Sequence, residues 1–288
     1  MGTSMTTSVD TELDQVKQIG RYGIQDLDVG GIFDHALYLI RDNFKATCII
    51  LGFVALPLTY MNTFAVLYLQ SFAESGAADM DVDPMQGVAA MVLASIGALV
   101  IAFAVVLPLT FGSLTYLYNS AYLGDAQSVR SCFRQTFKNY FRIVFLYFIY
   151  NVVMTIGSCL LVIPGLIVAV VFSIAMPTFV AEPGTPVLAC FERSVRITWK
   201  SFFPVFLVML ATGMASMQAG FVNAASAAIP YIWLQAGVQA GVSVALYGLT
   251  AAVGVALYYS LRCRHEGFDV EMMAEVVDPE PMVAEPAL

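Results

Sequence analysis

The sequence contains a regular series of cationic side chains whose type and spacing could bind anions. Arg130, Arg134, Lys138 and Arg142 recur at every fourth position, so they would share one face of a helix. Each Lys or Arg near an anionic membrane leaflet contributes about 1 kcal/mol of attraction. The row therefore predicts a surface for anionic headgroups.

A second basic segment has the same pattern. The stretch "ACFERSVRITWK" (189–200) aligns with "SCFRQTFKNYFR" (131–142), which places Phe141 over Trp199 and Arg142 over Lys200. A third copy, "HALYLIRDNFK" (35–45), keeps Arg41, Phe44 and Lys45. The predicted anionic-lipid residues are Arg130, Arg134, Lys138, Arg142, Arg193, Arg196 and Lys200. The alternative is that these cations only set membrane orientation, as basic clusters beside spans commonly do.

Other chemistry finds little support in the sequence. The five cysteines have no C-x-x-C spacing, and His35 and His265 are isolated. Phosphate-binding loops, nucleophile elbows and H-E-x-x-H motifs are absent. We therefore predict no catalytic, cofactor-binding or metal residues, no cofactor and no nucleic-acid partner.

The elements that position the cations are predicted to be membrane helices. Hydrophobic residues make up 59% of the chain and charged residues 12%, against about 25% charged in a typical soluble domain. A membrane span needs about 20 apolar residues. Four nearly uncharged blocks are long enough: Ala46–Ser75, Met85–Gly124, Ile143–Ala181 and Ser201–Leu261.

The number of spans follows from breaks and charge. Pro164-Gly165 divides the third block and Pro230 the fourth, because proline and glycine interrupt helices. Lys and Arg accumulate on the cytoplasmic side of spans, and all 13 fall on one side only if the second block is one long helix. This predicts six membrane segments with both termini cytoplasmic. The charge pattern fits a re-entrant Pro164-Gly165 hairpin equally well.

The predicted fold is an all-α polytopic bundle, with six membrane segments in three hairpins. Each hairpin follows an amphipathic interfacial helix, the first having the apolar face Phe33, Ala36, Leu37, Ile40 and Phe44. The membrane domain spans 31–268. Polar or acidic tails at 1–30 and 269–288 are predicted to be disordered, and Gly267 suits the residue beyond the last helix.

Two features bear on partners and transport. Gly237 and Gly241 form a G-x-x-x-G pair, which suits close helix packing within the chain, with a membrane partner or in a homo-oligomer. The predicted spans carry no ionisable group, which disfavours ion-coupled transport. A transporter would need a polar cavity lined by Asn151, Gln218 or Asn223. A membrane-embedded lipid enzyme would need clustered catalytic groups, which the sequence does not offer.

The sequence resembles a family of bacterial membrane proteins over roughly Asp34 to Asp269. The resemblance rests on "IPG" (163–165), "FERSVRITWK" (191–200) and "LYYSLRCRHEGFD" (257–269), which contains an Arg-x-Arg-x-Glu-Gly pattern at Arg262, Arg264, Glu266 and Gly267. It is similar to the membrane domain fused to some glycerophosphodiester phosphodiesterases and to YciC-type inner-membrane proteins. Family members often have an acid where this chain has Ser260.

The resemblance implies a six-helix module of the bacterial inner membrane without a settled activity. We do not carry over the hydrolase activity, because only 27 residues follow Leu261. The expected function is non-enzymatic: binding lipid or a membrane partner at the cytoplasmic face, in envelope lipid handling. The alternative is a transporter or permease subunit without an ion-coupling carboxylate.

Overall fold

The computed structural model describes residues 27–79, 107–125, 127–160 and 162–267, together with Val92, Leu93, Ile96, Gly97 and Val100. Across these residues the regular structure is helical and contains no strand. The predicted all-α class is confirmed. The predicted tails at 1–26 and 269–288 and much of the predicted single helix at 85–124 lie outside the described residues.

The fold begins earlier than the predicted tail boundary at residue 30. Leu27 is buried, and its amide donates a hydrogen bond to Ser260 Oγ at 3.1 Å. Asp28 caps helix α1 (Val29–Asp42), because its Oδ1 accepts from the Gly31 amide at 2.9 Å and satisfies a donor that the first helical turn leaves free. Residues 27–30 therefore belong to the folded domain.

The remaining helices follow α1 in chain order. They are α2 (Phe44–Ile50), a π-helical turn (Leu51–Ala55), α3 (Leu56–Asp79), α4 (Leu107–Tyr122), α5 (Val129–Lys138), α6 (Tyr140–Leu160), α7 (Val162–Val171), α8 (Ala175–Ala181), α9 (Val187–Lys200), α10 (Phe202–Ser226) and α11 (Ile232–Glu266).

Among the residues that the structure describes, four segments are long and apolar enough to cross a membrane. They are Tyr140–Cys159, Ile163–Ala181, Phe202–Ser226 and Ile232–Glu266. A helix rises about 1.5 Å per residue, so about 20 residues match a hydrocarbon core of about 30 Å. A multi-pass membrane architecture is thus supported, while six spans in three hairpins stays a prediction.

The structure places one predicted break differently and confirms another. Pro164 is the third residue of α7 rather than part of a turn, and α6 ends before it at Leu160. Proline is tolerated in a first helical turn because the amides there have no partner within the helix. Pro230 does lie between two helices, since α10 ends at Ser226 and α11 begins at Ile232.

Short breaks separate the three amphipathic helices from the helices that follow. α1 ends at Asp42 and α5 at Lys138, and each is followed by an asparagine cap, Asn43 and Asn139. In both, the side-chain amide donates to the carbonyl four residues earlier, at 3.1 Å and 3.3 Å. α9 instead continues to Lys200 and stops at Ser201. Trp199 and Lys200 therefore end an amphipathic helix, whereas their aligned residues 141 and 142 already belong to α6.

The amphipathic helices meet at one end of the fold. Leu39 of α1, Cys132 of α5 and Ile197 of α9 belong to the same buried core as Tyr118 and Tyr258. The core also contains the Tyr122 and Tyr259 rings, which stack with centroids 4.4 Å apart. We call this end, which carries the cations of α1, α5, α9 and the last turn of α11, the basic end.

The apolar residues of α1 and of the turn after it divide into a buried group and an exposed group, which the sequence pattern does not predict. Ile32, Ala36 and Leu39 are the buried residues of this helix. Leu37 and Phe44, which were predicted to share one face with Ala36, are 55% and 60% exposed. The buried group packs against other helices, including the end of α11, and the exposed group faces outward because α1 lies at the surface of the fold.

Candidate functional site: a basic row, an ion-pair cluster and a cavity

Three of the predicted cations form an exposed row on α5. The side of the helix that faces the core holds Cys132 and Thr136, both buried, and Ser113 of α4 donates to Thr136 Oγ1 at 3.3 Å. Arg130, Arg134 and Lys138 are exposed. In the described part of the chain their charged groups make no hydrogen bond or ion pair. We call these three residues the basic row.

Exposed aromatic rings lie beside the basic row. Phe137 is 62% and Phe141 is 85% exposed, whereas Phe133 packs partly against the core. A helix that shows cations and aromatic rings together is typical of proteins that lie in the membrane interface. Exposure of the aromatic rings to water is unfavourable. The membrane interface has both polar headgroups and apolar chains, so it can contact the cations and the rings together.

Arg142 does not belong to the row. It lies in the first turn of α6, beyond the break at Asn139, and it is directed inward. Its Nη2 donates to the Thr185 carbonyl at 2.6 Å, and its guanidinium carbon lies 5.2 Å from the centroid of the Phe179 ring. The prediction that four cations share one helix face is wrong at this position, because the helix ends four residues too early.

The cations of α9 also include exposed residues and one residue that is paired with protein groups. Arg196 and Lys200 are exposed, next to Trp199, which is 63% exposed. Arg193 instead pairs with two carboxylates: its Nε lies 2.5 Å from Glu182 Oε1, and its Nη2 lies 2.8 Å from Glu266 Oε2.

These contacts form part of an ion-pair cluster, defined by Glu182, Arg193, Arg262 and Glu266. Arg262 Nε lies 3.2 Å from Glu266 Oε2, and the Tyr258 hydroxyl donates to Glu182 Oε1 at 2.9 Å. The four charged side chains are 18% to 28% exposed. The two carboxylates and the two guanidinium groups give the cluster a net charge of zero, so it does not attract an anionic ligand through its overall charge.

Local backbone geometry brings the cluster together. Glu182 follows the end of α8, and Gly184 two residues later has φ +99°, a conformation that favours glycine. Glu266 is the last residue of α11, and Gly267 ends that helix with φ +65°, as predicted for a left-handed residue beyond a helix end. The cluster thus joins α8, α9 and α11.

Sequence reasoning missed Glu182 and Tyr258. The available signal was that Glu182 is the first charged residue after the uncharged block Ile143–Ala181 and is followed by Pro183-Gly184. A lone acid at the end of a span is often a partner for a cation from another segment. Nothing in a single sequence identified Arg193 as that cation.

A cavity of about 300 Å³ lies between α4, α6, α10, α11 and the segment 172–177, which connects α7 to α8 and includes the first turn of α8. Its lining is mainly apolar and includes Phe111, Leu146, Met176 and Met209. Asn151 lines it. Gln218 and Asn223, the other two residues that could line the polar cavity of a transporter, are not among the lining residues, and Gln218 is exposed.

Within the described part of the chain, the predicted G-x-x-x-G pair is not a site of close packing. A Cβ at Gly237 would lie 3.9 Å from the Tyr60 ring, and one at Gly241 would have no atom within 4 Å. Close approach occurs two turns later, where a Cβ at Gly248 would lie 3.2 Å from Leu51 Cδ1. A contact of Gly237 and Gly241 with another chain stays a prediction.

Within the described residues, no group of three or more His, Cys, Asp and Glu side chains is placed to hold a metal ion. No family model, no characterised protein and no solved structure matches the chain. The resemblance based on the Arg-x-Arg-x-Glu-Gly pattern therefore stays a prediction.

Proposed function

We propose that this chain is a six-span protein of the bacterial inner membrane, with its basic end in the cytoplasm. The four membrane-capable segments between Tyr140 and Glu266 would be joined by two more, formed from the blocks Ala46–Ser75 and Met85–Gly124. This arrangement puts every Lys and Arg on the side where cations accumulate. The sequence resemblance supports the same membrane and topology.

The function supported best is non-enzymatic binding of anionic lipid headgroups at the basic end, in envelope lipid handling. The observation that carries this proposal is the basic row: Arg130, Arg134 and Lys138 are exposed beside exposed Phe137 and Phe141. Cations that hold a protein together are normally paired, as Arg193 is. A row of cations that has aromatic neighbours and no acidic partner among the described residues suits headgroups, which supply negative charge.

The test is the amount of anionic lipid retained when the protein is extracted in polymer discs and analysed by native mass spectrometry. Changing Arg130, Arg134 and Lys138 together to Gln removes about 3 kcal/mol of attraction, which corresponds to a roughly 100-fold weaker preference for anionic over zwitterionic lipid. The matched control, Arg130→Lys with Arg134→Lys, keeps the charges and should retain the preference.

Retention unchanged in the Gln variant would refute the lipid proposal. A stoichiometric protein partner found instead, without selective lipid, would make the cations orientation signals and the chain a subunit of a complex.

A transporter or permease subunit is the second candidate, and the cavity beside Asn151 is the observation that favours it. Transport needs access to such a cavity from both sides of the membrane. Asn151→Cys should then react with a membrane-impermeant maleimide from either face, whereas reaction from neither face would exclude an aqueous route.

A further inference from the structure

The cavity has the properties of a binding site for a ligand that arrives through the membrane. Thr250 lines it and is exposed, so the cavity reaches the outside of the molecule at this residue. Thr250 lies 16 residues before the end of α11 at Glu266 and 18 after its start at Ile232, or about 24 Å and 27 Å along the axis. The opening is therefore about half-way along a helix that, in the membrane placement proposed above, crosses the bilayer, and at that depth the surrounding solvent is hydrocarbon.

The size of the cavity limits the ligand. Its volume of about 300 Å³ is at the lower end of the range for small-molecule pockets, about 300–1,000 Å³. It is about twice the volume of an apolar cavity that binds benzene. One hydrocarbon chain fits this space, and a whole two-chain phospholipid does not.

The polar groups of the lining limit the chemistry of the ligand. None of the lining residues is Asp, Glu, Lys, Arg or His, so a charged group would enter without a counter-ion at a cost of several kcal/mol. The polar side chains Tyr147, Tyr150 and Asn151 are grouped on one side, at helical spacing on α6. A neutral hydrogen-bonding group would be accepted there.

Those polar groups also have unused hydrogen-bonding capacity. Asn151 donates through Nδ2 to the Tyr147 carbonyl at 2.9 Å. Among the described residues, nothing donates to Asn151 Oδ1, and neither tyrosine hydroxyl has a hydrogen-bond partner. Polar groups inside a protein are normally hydrogen-bonded, so three spare groups at one wall of an apolar cavity point to an outside partner.

We infer that this cavity binds a single hydrocarbon chain that ends in an uncharged hydrogen-bonding group, such as the hydroxyl of a long-chain alcohol. The chain enters beside Thr250, its apolar part lies against Phe111, Met176 and Met209, and its polar end meets Asn151 and the two tyrosines. The site is separate from the basic row, and it does not depend on the lipid-headgroup proposal.

The test uses dodecanol that carries a photoreactive diazirine on its chain, with the full-length protein in lipid nanodiscs. Illumination should attach the probe to the lining segments around Met176 and Met209, as mapped by peptide mass spectrometry. Unlabelled dodecanol should compete. Dodecane, which lacks the hydroxyl, and dodecanoate at pH 8, which is charged, should compete at least several-fold less well.

Two variants locate the site. Thr212→Phe fills the cavity and should abolish specific labelling. The matched control Gly213→Phe adds the same ring one residue away, where no atom lies within 4 Å of a built Cβ, and should leave labelling intact. Asn151→Leu keeps the branched shape and removes the amide, so dodecanol should compete about 2- to 12-fold less well, which corresponds to one lost neutral hydrogen bond.

Labelling that is spread over lipid-facing residues, or that Thr212→Phe and Gly213→Phe affect equally, would overturn the inference. Equal competition by dodecane and dodecanol would also overturn it, because the polar wall would then have no role. Because Asn151→Leu preserves shape, its effect can be read even if Thr212→Phe does not fold.

Discussion

Arg193 and Arg130 are both cations of amphipathic helices, yet the structure predicts opposite effects when each is replaced. Arg193→Gln should lower the stability of the protein and leave anionic-lipid retention unchanged. The reason is that Arg193 contacts Glu182 at 2.5 Å and Glu266 at 2.8 Å, while Arg130 is exposed and unpaired in the described part of the chain.

The size of the effect follows from these contacts. A hydrogen bond to a charged group contributes about 1.5–3 kcal/mol, and breaking a fully buried pair costs about 3–5 kcal/mol. The side chains of the cluster are about one-quarter exposed, so water partly screens the charges. After the substitution Glu182 keeps the Tyr258 hydroxyl and Glu266 keeps Arg262. We therefore expect a loss of about 2–3 kcal/mol.

The assay is reversible unfolding in mixed micelles of a mild detergent titrated with SDS. Tryptophan fluorescence is a convenient readout, because the chain has two tryptophans and Trp199 lies on α9 with Arg193. Arg196→Gln is the matched control: it removes an exposed cation from the same helix, and surface substitutions usually stay within about 0.5 kcal/mol.

A double-mutant cycle separates the pair from other effects. Glu182→Gln alone should destabilise by a similar amount, and combining it with Arg193→Gln should cost less than the sum, with a coupling energy of about 1–3 kcal/mol. If Arg193→Gln leaves the free energy of unfolding unchanged and lowers anionic-lipid retention instead, Arg193 faces lipid and the ion-pair cluster does not exist.

Two further predictions concern packing and thiol chemistry. Gly165→Ala should destabilise by about 1–3 kcal/mol, because a Cβ there would lie 3.0 Å from Ser158 Cα and force α6 and α7 apart. Gly220→Ala, with no atom within 4 Å, should cost nothing in the same titration, and equal losses would contradict this packing. Burial raises the pKa of the Cys132 and Cys190 thiols to about 11, so at pH 8 only about one molecule in a thousand carries the reactive thiolate. Alkylation by iodoacetamide, followed by mass spectrometry, should be at least tenfold slower in the folded protein than in SDS and should accelerate as the pH rises from 8 to 10; equal rates in the two states would refute the burial of these thiols.

Helix type and a few helix ends could be predicted from the sequence because they depend on local properties. The break at Pro230 and the left-handed Gly267 follow from backbone preferences of single residues. Pro164 was misplaced because a proline that starts a helix and a proline that stops one look alike in sequence. The inclusion of Leu27 in the folded domain was missed because it depends on Ser260, which lies 233 residues away.

The anionic-lipid role of the basic segments stays a prediction, but the row predicted along one helix has one member too many. A four-residue spacing shows which side chains could share a helix face, but it does not show where that helix ends. The Asn139 side chain ends α5 by donating to the Gln135 carbonyl at 3.3 Å and holds the break by donating to the Tyr116 hydroxyl at 3.0 Å. Arg142 therefore lies in the first turn of α6 instead of on α5. The cavity was not predictable at all, because five segments from distant parts of the chain form it.

The division of the cations has a physical logic that links fold and function. Arg142 and Arg193 lie where protein acceptors are within reach: a carbonyl at 2.6 Å for the first and two carboxylates for the second. Arg130, Arg134 and Lys138 lie on the outer side of α5, where the described chain offers them no acceptor. Unpaired like charges on one helix face repel one another, so the basic row makes the isolated protein less stable. A membrane surface removes this cost by supplying anions, and the same row then favours the bound state.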